Sequence, residues 1–266
     1  METITSPDNK TIKETAALSE KKYRDKTGLF VIEGLKFVDE IPGNCEVCHY
    51  ILSESFLGEY GAVRYEKRAS VFVTSDKLFK KVSNEESPQG ILAACKKMTY
   101  DIKDMIINKY AAGNGNKLII ILDGISDPGN VGTIVRTACA SGASGVVLGT
   151  GCADLYNPKT LRAAAGAVLK MPVLTNAGTA EIIGKLNSLG YMNVAADVRA
   201  DNLPYLLDFT QKCAIIIGNE SRGLAPEIVA LCSQSVKLPM TGYVESLNAS
   251  VAAAVLIYEA VRQRIV

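Results

Sequence analysis

Three short stretches of this 266-residue chain carry the residue types that could do chemistry. The first is Asp127-Pro-Gly-Asn-Val-Gly-Thr-Ile-Val-Arg-Thr-Ala138, which follows the aliphatic run Lys117-Leu-Ile-Ile-Ile-Leu122 and sets two glycines, an asparagine and an arginine where a helix should begin. A strand ending at Leu122 and a helix starting near Val131 would place residues 123–130 at the carboxyl edge of a parallel sheet, where open α/β folds bind ligands. The common nucleotide loops do not fit. Gly124, Gly129 and Gly132 lack the G-x-G-x-x-G spacing, Asp127-Pro128 interrupts them, and no G-x-x-x-x-G-K-[ST] occurs. Arg136, six residues after Asn130, either points back toward a ligand at the helix N-terminus or is a solvated surface arginine.

The second stretch, Cys213-Ala-Ile-Ile-Ile-Gly218-Asn219-Glu220-Ser-Arg-Gly223-Leu224, runs an apolar strand into a polar turn with a carboxylate at the sheet edge. Its plainest account is a strand-to-helix turn with Glu220 favoured by the helix dipole. The third, Val236-Lys-Leu238-Pro239-Met240-Thr-Gly242-Tyr-Val-Glu-Ser246-Leu247-Asn248-Ala-Ser250, offers Ser246 as the cap of a final helix. Asn248 would then lie on the first turn among alanines and valines. That is poor helix chemistry, and it implies a side-chain partner outside the helix.

The elements that must position these stretches form two groups. Residues 1–100 are expected to be a small α/β domain: a polar helix over 10–26, strands at 29–33, 49–53, 71–74 and 91–95, and helices at 35–41 and 76–82. Residues 101–116 begin helix-like and end in Gly113-Asn-Gly-Asn116, a linker composition. Residues 117–266 alternate strand and helix, with strands near 118–122, 145–149, 171–174, 192–196, 213–217 and 235–238, which favours a mostly parallel sheet covered on both faces. The last helix, from Ser246 to Arg264, carries an apolar stripe at Leu247, Val251, Val255 and Tyr258.

Composition narrows the function classes. The N-terminal residues are polar and charged with no apolar core of signal-peptide type, and no run reaches membrane-spanning length, so a cytoplasmic protein is expected. Seven scattered cysteines read as reduced thiols. Cys45-x-x-Cys48-His49 matches a haem-attachment pattern, but it leads into an apparent core strand, and neither haem nor zinc is expected. A net charge of +1 gives no bulk argument for nucleic acid. Lys21, Lys22, Arg24 and Lys26 crowd one stretch, and Arg64, Lys67 and Arg68 another, with acidic residues interleaved.

Taken in order, D-P-G-N-V-G-x-x-x-R-T-A at 127–138, I-I-G-N-E-x-x-G-L at 216–224 and L-P-M-x-G-x-x-x-S-L-N-x-S-V-A at 238–252 resemble the motifs of the SpoU (TrmH) family of RNA 2′-O-ribose methyltransferases. Lys22-Tyr-Arg24, Leu29-Phe-Val-Ile-Glu33-Gly34 and Ser87-Pro-Gln-Gly90 are similar to that family's N-terminal partner, an L30e-like RNA-binding module. The resemblance implies a SPOUT-type α/β fold whose sheet contains a trefoil knot, a homodimer, and S-adenosylmethionine as cofactor. Periodicity alone could not have shown a knot. Cofactor contacts would fall at Thr150, Gly151, Gly218, Asn219, Glu220, Leu238, Met240 and Leu247, largely through main chain. Arg136 would stand next to the reacting hydroxyl, supported by Asn130, Ser246 and Asn248, with Glu220 a further motif residue.

No histidine occurs in residues 117–266, and a guanidinium stays protonated in proteins, so Arg136 is read as holding charge while the proton leaves through a phosphate oxygen or water. Lys21, Lys22 and Arg24 are the RNA-binding candidates. The expected substrate is ribosomal RNA ahead of transfer RNA. The alternatives are an RNA-binding protein of the same fold without turnover, and a dinucleotide-dependent oxidoreductase.

Overall fold

The computed structural model describes residues 1–107 and 117–265, so the glycine and asparagine stretch of the expected linker lies outside the described residues. The chain divides into two compact units, one of Met1–Met98 with Tyr156–Leu161, the other of Thr99–Leu155 with Arg162–Val266.

The first unit contains strands β1 (Glu2–Ile4), β2 (Leu29–Glu33), β3 (Val47–Ser53), β4 (Ser70–Thr74) and β5 (Ile91–Lys96), in the order β1-β4-β3-β5-β2. β1, β4 and β3 run parallel, and β5 is antiparallel to both of its neighbours. Helices α1 (Lys10–Ala17), α2 (Lys21–Thr27), α3 (Leu35–Asp39), α4 (Glu54–Tyr60), α5 (Val63–Glu66) and α6 (Asp76–Phe79) connect the strands. His49 sits on β3 with its Nε2 2.9 Å from the Thr15 hydroxyl.

The single helix expected over 10–26 is two helices, and Arg24 shows why. Its side chain is 1 % exposed. Nη1 donates to the Leu18 and Ser19 carbonyls at 2.8 and 2.7 Å, satisfying acceptors where α1 ends and the chain turns into α2. This corrects the expectation that Arg24 contacts RNA, because its charge is spent inside the unit. Lys21 and Lys22, on the same helix, are exposed.

The second unit is built on β6 (Leu118–Asp123), β7 (Gly145–Gly149), β8 (Val173–Ala177), β9 (Met192–Ala196), β10 (Cys213–Gly218) and β11 (Gln234–Val236), in the order β11-β9-β10-β6-β7-β8, with every neighbouring pair parallel. Central strands β6 and β10 are buried on both faces along all but their last residue, which is why each reads as an unbroken apolar run. Its helices are α7 (Ile102–Ile106), α8 (Pro128–Ala140), α9 (Pro158–Ala164), which straddles the division, α10 (Thr179–Ser188), α11 (Pro226–Leu231) and α12 (Ala249–Ile265). One face of the sheet packs Ile119, Ile121, Val147 and Ile216 against Ile182, Ile183 and Leu186 of α10. Met105 of α7, within the 101–116 stretch, is fully buried in that core. α8 and α12 pack on each other.

Two helix starts differ from expectation. α8 begins at Pro128, three residues before Val131, because Asp127 caps it through the Asn130 N–H at 2.8 Å and proline suits the first helical position. Gly129 and Gly132 therefore lie inside the helix, and only Gly124 bends the loop, at φ +69°. α12 begins at Ala249 and is capped by Asn248, whose Oδ1 accepts from the Ser250 N–H and hydroxyl at 2.9 and 2.7 Å. Ser246 is exposed and does not cap it.

The stripe on α12 is also placed differently from an ordinary amphipathic helix. The residues that face the core are Ala249, Ser250, Ala253, Leu256, Ile257 and Ala260. Leu247, Val251, Val255 and Tyr258 are 38, 47, 47 and 50 % exposed.

Candidate active site

β10 and β6 pair in register with Gly218 opposite Asp123, so the loops that follow these strands leave the carboxyl edge side by side. Gly218 allows the turn after β10 to fold back on the strand end, since a Cβ there would collide with the backbone of Gly223 and Leu224. Asn219 then staples the two loops together. Its Nδ2 donates to the Gly124 carbonyl at 2.8 Å, while its Oδ1 accepts from the Ser221 and Arg222 N–H groups at 3.0 and 3.1 Å.

Glu220 reaches across to the N-terminus of α8. Its carboxylate accepts from the Ser126 N–H and hydroxyl and from the Asp127 N–H, each at 3.3 Å, and from Asn130 Nδ2 at 3.1 Å. Burial pushes the carboxyl up, but the Asn130 amide and the main-chain N–H groups of Glu220 itself, Ser126 and Asp127 outweigh it and hold the group below the ordinary glutamate value. Glu220 is therefore an anion committed as an acceptor.

That commitment sets the sense of every amide behind it. A carboxylate only accepts, so Asn130 presents its NH2 to Glu220 and turns its oxygen the other way. Asn248 Nδ2 donates to that oxygen at 3.0 Å. Asn248 in turn has only its oxygen left for the first turn of α12, which is the group a helix cap needs. One hydrogen-bonded chain thus joins the three stretches, through Glu220, Asn130 and Asn248. Asn130 is 8 % exposed at its centre. The outside partner expected for Asn248 is Asn130.

Arg136 does not join this chain. It lies six residues along α8 from Asn130, about 9 Å of helical rise, on an exposed position. Its guanidinium has no hydrogen bond or ion pair among the described residues. Thr150 and Gly151 follow β7, Leu238 and Met240 follow β11, and Ser246 and Leu247 precede α12. Gly151 approaches the loop after β6, where a Cβ on it would lie 3.6 Å from the Gly124 Cα.

A family model described as the SpoU rRNA Methylase family matches residues 117–258, and one described as an MRM3-like substrate binding domain matches residues 9–93. The chain belongs to the SpoU family. It is 32 % identical over 264 residues to the 23S rRNA (guanosine(2553)-2'-O)-methyltransferase RlmP of Bacillus subtilis, covering 97 % of this chain and 98 % of the relative. It is 30 % identical over 208 residues to the 23S rRNA (uridine(2479)-2'-O)-methyltransferase of Streptomyces viridochromogenes, covering 76 % of this chain and 70 % of that one. Among solved structures, the AdoMet-bound rRNA methyltransferase from Sinorhizobium meliloti superposes with a TM-score of 0.87 at 27 % identity, covering 98 % of this chain and 97 % of that one.

In this SpoU chain the sequence reading passed over Ser126 and Asp127, which hold the Glu220 carboxylate from the other loop. The signal was present. Asp127-Pro128 is a helix-start pair, and main-chain N–H groups at a helix start favour a facing carboxylate.

Proposed function

We propose that this chain is an S-adenosylmethionine-dependent RNA 2′-O-ribose methyltransferase acting on 23S ribosomal RNA. The observation that carries the reading is the hydrogen-bonded chain from Glu220 through Asn130 to Asn248, which gathers the three motif stretches at the carboxyl edge of the parallel sheet. The substrates named for the Bacillus and Streptomyces relatives support the choice of RNA.

The residues present suit the cofactor. The main-chain N–H groups of Gly151, Leu238, Met240 and Leu247 have no partner within the chain among the described residues. The side chains of Leu238, Met240 and Leu247 are apolar and incompletely buried. That combination fits a ligand with a flat ring system and several acceptors. When bound, S-adenosylmethionine supplies an electrophilic sulfonium methyl, so the protein must align a ribose 2′-oxygen and let its proton leave.

Arg136, charged and without an internal partner, holds an RNA phosphate or the alkoxide that develops on the ribose. Glu220 is unsuited to take the proton, since its carboxylate is engaged by several donors and held in its charged form. A phosphate oxygen or water receives the proton instead. Ser246, exposed ahead of α12, supplies a hydroxyl to the substrate side. Lys21 and Lys22 of the first unit bind RNA phosphates.

The apolar stripe of Leu247, Val251, Val255 and Tyr258, exposed in the single chain, supports a homodimer. A trefoil knot in the 117–266 domain and a cytoplasmic location complete the reading. No described helix is long and apolar enough to cross a membrane, and no described cluster of His, Cys, Asp and Glu could hold a metal ion.

The test is methyl transfer from labelled S-adenosylmethionine to 23S rRNA and to tRNA, followed by mapping of the 2′-O-methyl position. Label in a single 23S nucleotide is expected. Label in tRNA alone would reassign the substrate, and cofactor binding without transfer to either RNA would leave a binding protein.

A further inference from the structure

Asp123 and Thr179 lie outside the three motif stretches. Asp123 closes β6 and Thr179 opens α10 after β8, so the two come from strands separated by β7. The Thr179 hydroxyl nevertheless donates to Asp123 Oδ1. The bond passes over the end of β7 at Gly149, where a Cβ would lie 2.5 Å from the Thr179 hydroxyl and 2.9 Å from the Leu122 carbonyl oxygen. Only a residue without a side chain leaves room for it. Thr179 is 6 % exposed and stands on the first turn of a ten-residue helix, whose N-terminal N–H groups favour the facing carboxylate.

The segment just beyond Gly149 is fixed from both sides. The Thr150 N–H donates to the Ala177 carbonyl at 3.2 Å, Cys152 Sγ to the Leu122 carbonyl at 3.2 Å, and the Ala153 N–H to the Ile125 carbonyl at 2.8 Å. Asn176, at φ +55°, lies where the β7–β8 register shifts between Val147 and Gly149, so that Ala177 comes opposite Gly149. Thr150 and Gly151 are thereby held between the ends of β6 and β8. The Asp123–Thr179 bond ties those two ends together, and Gly124, the next residue, accepts the Asn219 amide.

We infer that Asp123 and Thr179 are positioning residues that hold Thr150-Gly151 in the geometry the cofactor requires, a role that rests on the methyl-transfer reading above. They act through the loop. The bond between them spans the two strand ends on which that loop is seated, so its loss should loosen cofactor contacts and leave those to RNA in place.

The test uses the full-length protein, with calorimetric titration of S-adenosylmethionine and initial rates on RNA. T179V keeps the volume and removes the hydroxyl, and T179S keeps the hydroxyl. T179V should raise the cofactor Kd and KM about tenfold, change kcat by less than about threefold and leave the RNA Kd unchanged. T179S should stay close to the unaltered protein. Unchanged cofactor affinity in T179V, or equal weakening in T179S, would overturn the role, even if either variant melted earlier. Failure of the unaltered protein to bind the cofactor would overturn the methyl-transfer reading, and the role with it.

Discussion

The Asn248 side-chain amide donates to the Asn130 side-chain oxygen, Oδ1, at 3.0 Å, across 118 positions of sequence. This contact seats the N-terminus of α12 on that of α8, and its direction is dictated by Glu220 on the far side of Asn130. Replacing Asn130 with aspartate would put a second carboxylate 3.1 Å from Glu220 and leave two acceptors where a donor is needed. N130D is expected to lower the melting temperature and to cut methyl transfer by about a hundredfold or more through misplacement of the motif turns. Calorimetry together with single-turnover rates checks both effects.

Glu220 gives the site an acid limit. Its folded value lies below the ordinary glutamate value, so its contribution is present in full above about pH 4.3 and is lost as pH falls through the lower folded value. Below that point the unaltered protein should lose melting temperature more steeply than E220Q. At neutral pH E220Q should melt lower, because a glutamine NH2 would face the Ser126 or Asp127 N–H. Parallel slopes for the two proteins below pH 4.3 would contradict the assignment. The group lies at the surface, so solvent and salt screen part of the effect.

Arg136 is expected to act through charge. R136K should retain measurable turnover, while R136Q should lose it with cofactor affinity intact. Complete loss in R136K with unchanged RNA and cofactor binding would show that the guanidinium does more than hold an anion.

Arg24 and its helix neighbours should separate stability from binding. R24M strands the Leu18 and Ser19 carbonyls and should cost about 2–4 kcal/mol of stability. K21E with K22E should leave the fold intact, weaken RNA binding and flatten its salt dependence by roughly one unit of slope per lost contact. Chemical denaturation and filter binding at several salt concentrations distinguish the two outcomes.

Val255→Glu on the exposed stripe of α12 should convert a dimer to a monomer in sedimentation experiments without lowering the melting temperature of the single chain. Val255 touches water along half its surface, so a charge costs the isolated protomer little.

Strands β6 and β10 were legible because burial on both faces leaves an unbroken aliphatic signature. β1 was not, since its three residues are too few to display any alternation. The start of α8 was misplaced because Asp127-Pro128 was taken as an interruption of a glycine loop, when it is the cap and first residue of the helix. Asn248 stood out as poor helix chemistry, while Asn130 and Glu220 were marked only by the family motifs, and the sense of all their hydrogen bonds depends on which carboxylate anchors the chain. The local sequence placed Arg24 among the RNA-binding candidates and Val255 on the apolar stripe of the last helix, and packing buries the first while leaving the second half exposed. Arginine is normally a surface residue, and it goes inside here to meet two helix-end carbonyls that have no other donor among the described residues.

The pairing of Gly218 with Asp123 on adjacent parallel strands makes the intervening stretch of chain an excursion that leaves one rung of the sheet and returns to the next. Distance along the chain is irrelevant to where Asn219 meets Gly124, 95 residues away. Length changes at the opposite edge of the sheet, such as at Leu189-Gly190 between α10 and β9, would lengthen the excursion without shifting its point of return. This half of the protein therefore has one edge where loops far apart in sequence are bonded to each other, and another where the turn at Leu189, Gly190 and Tyr191 bonds back to the helix it leaves.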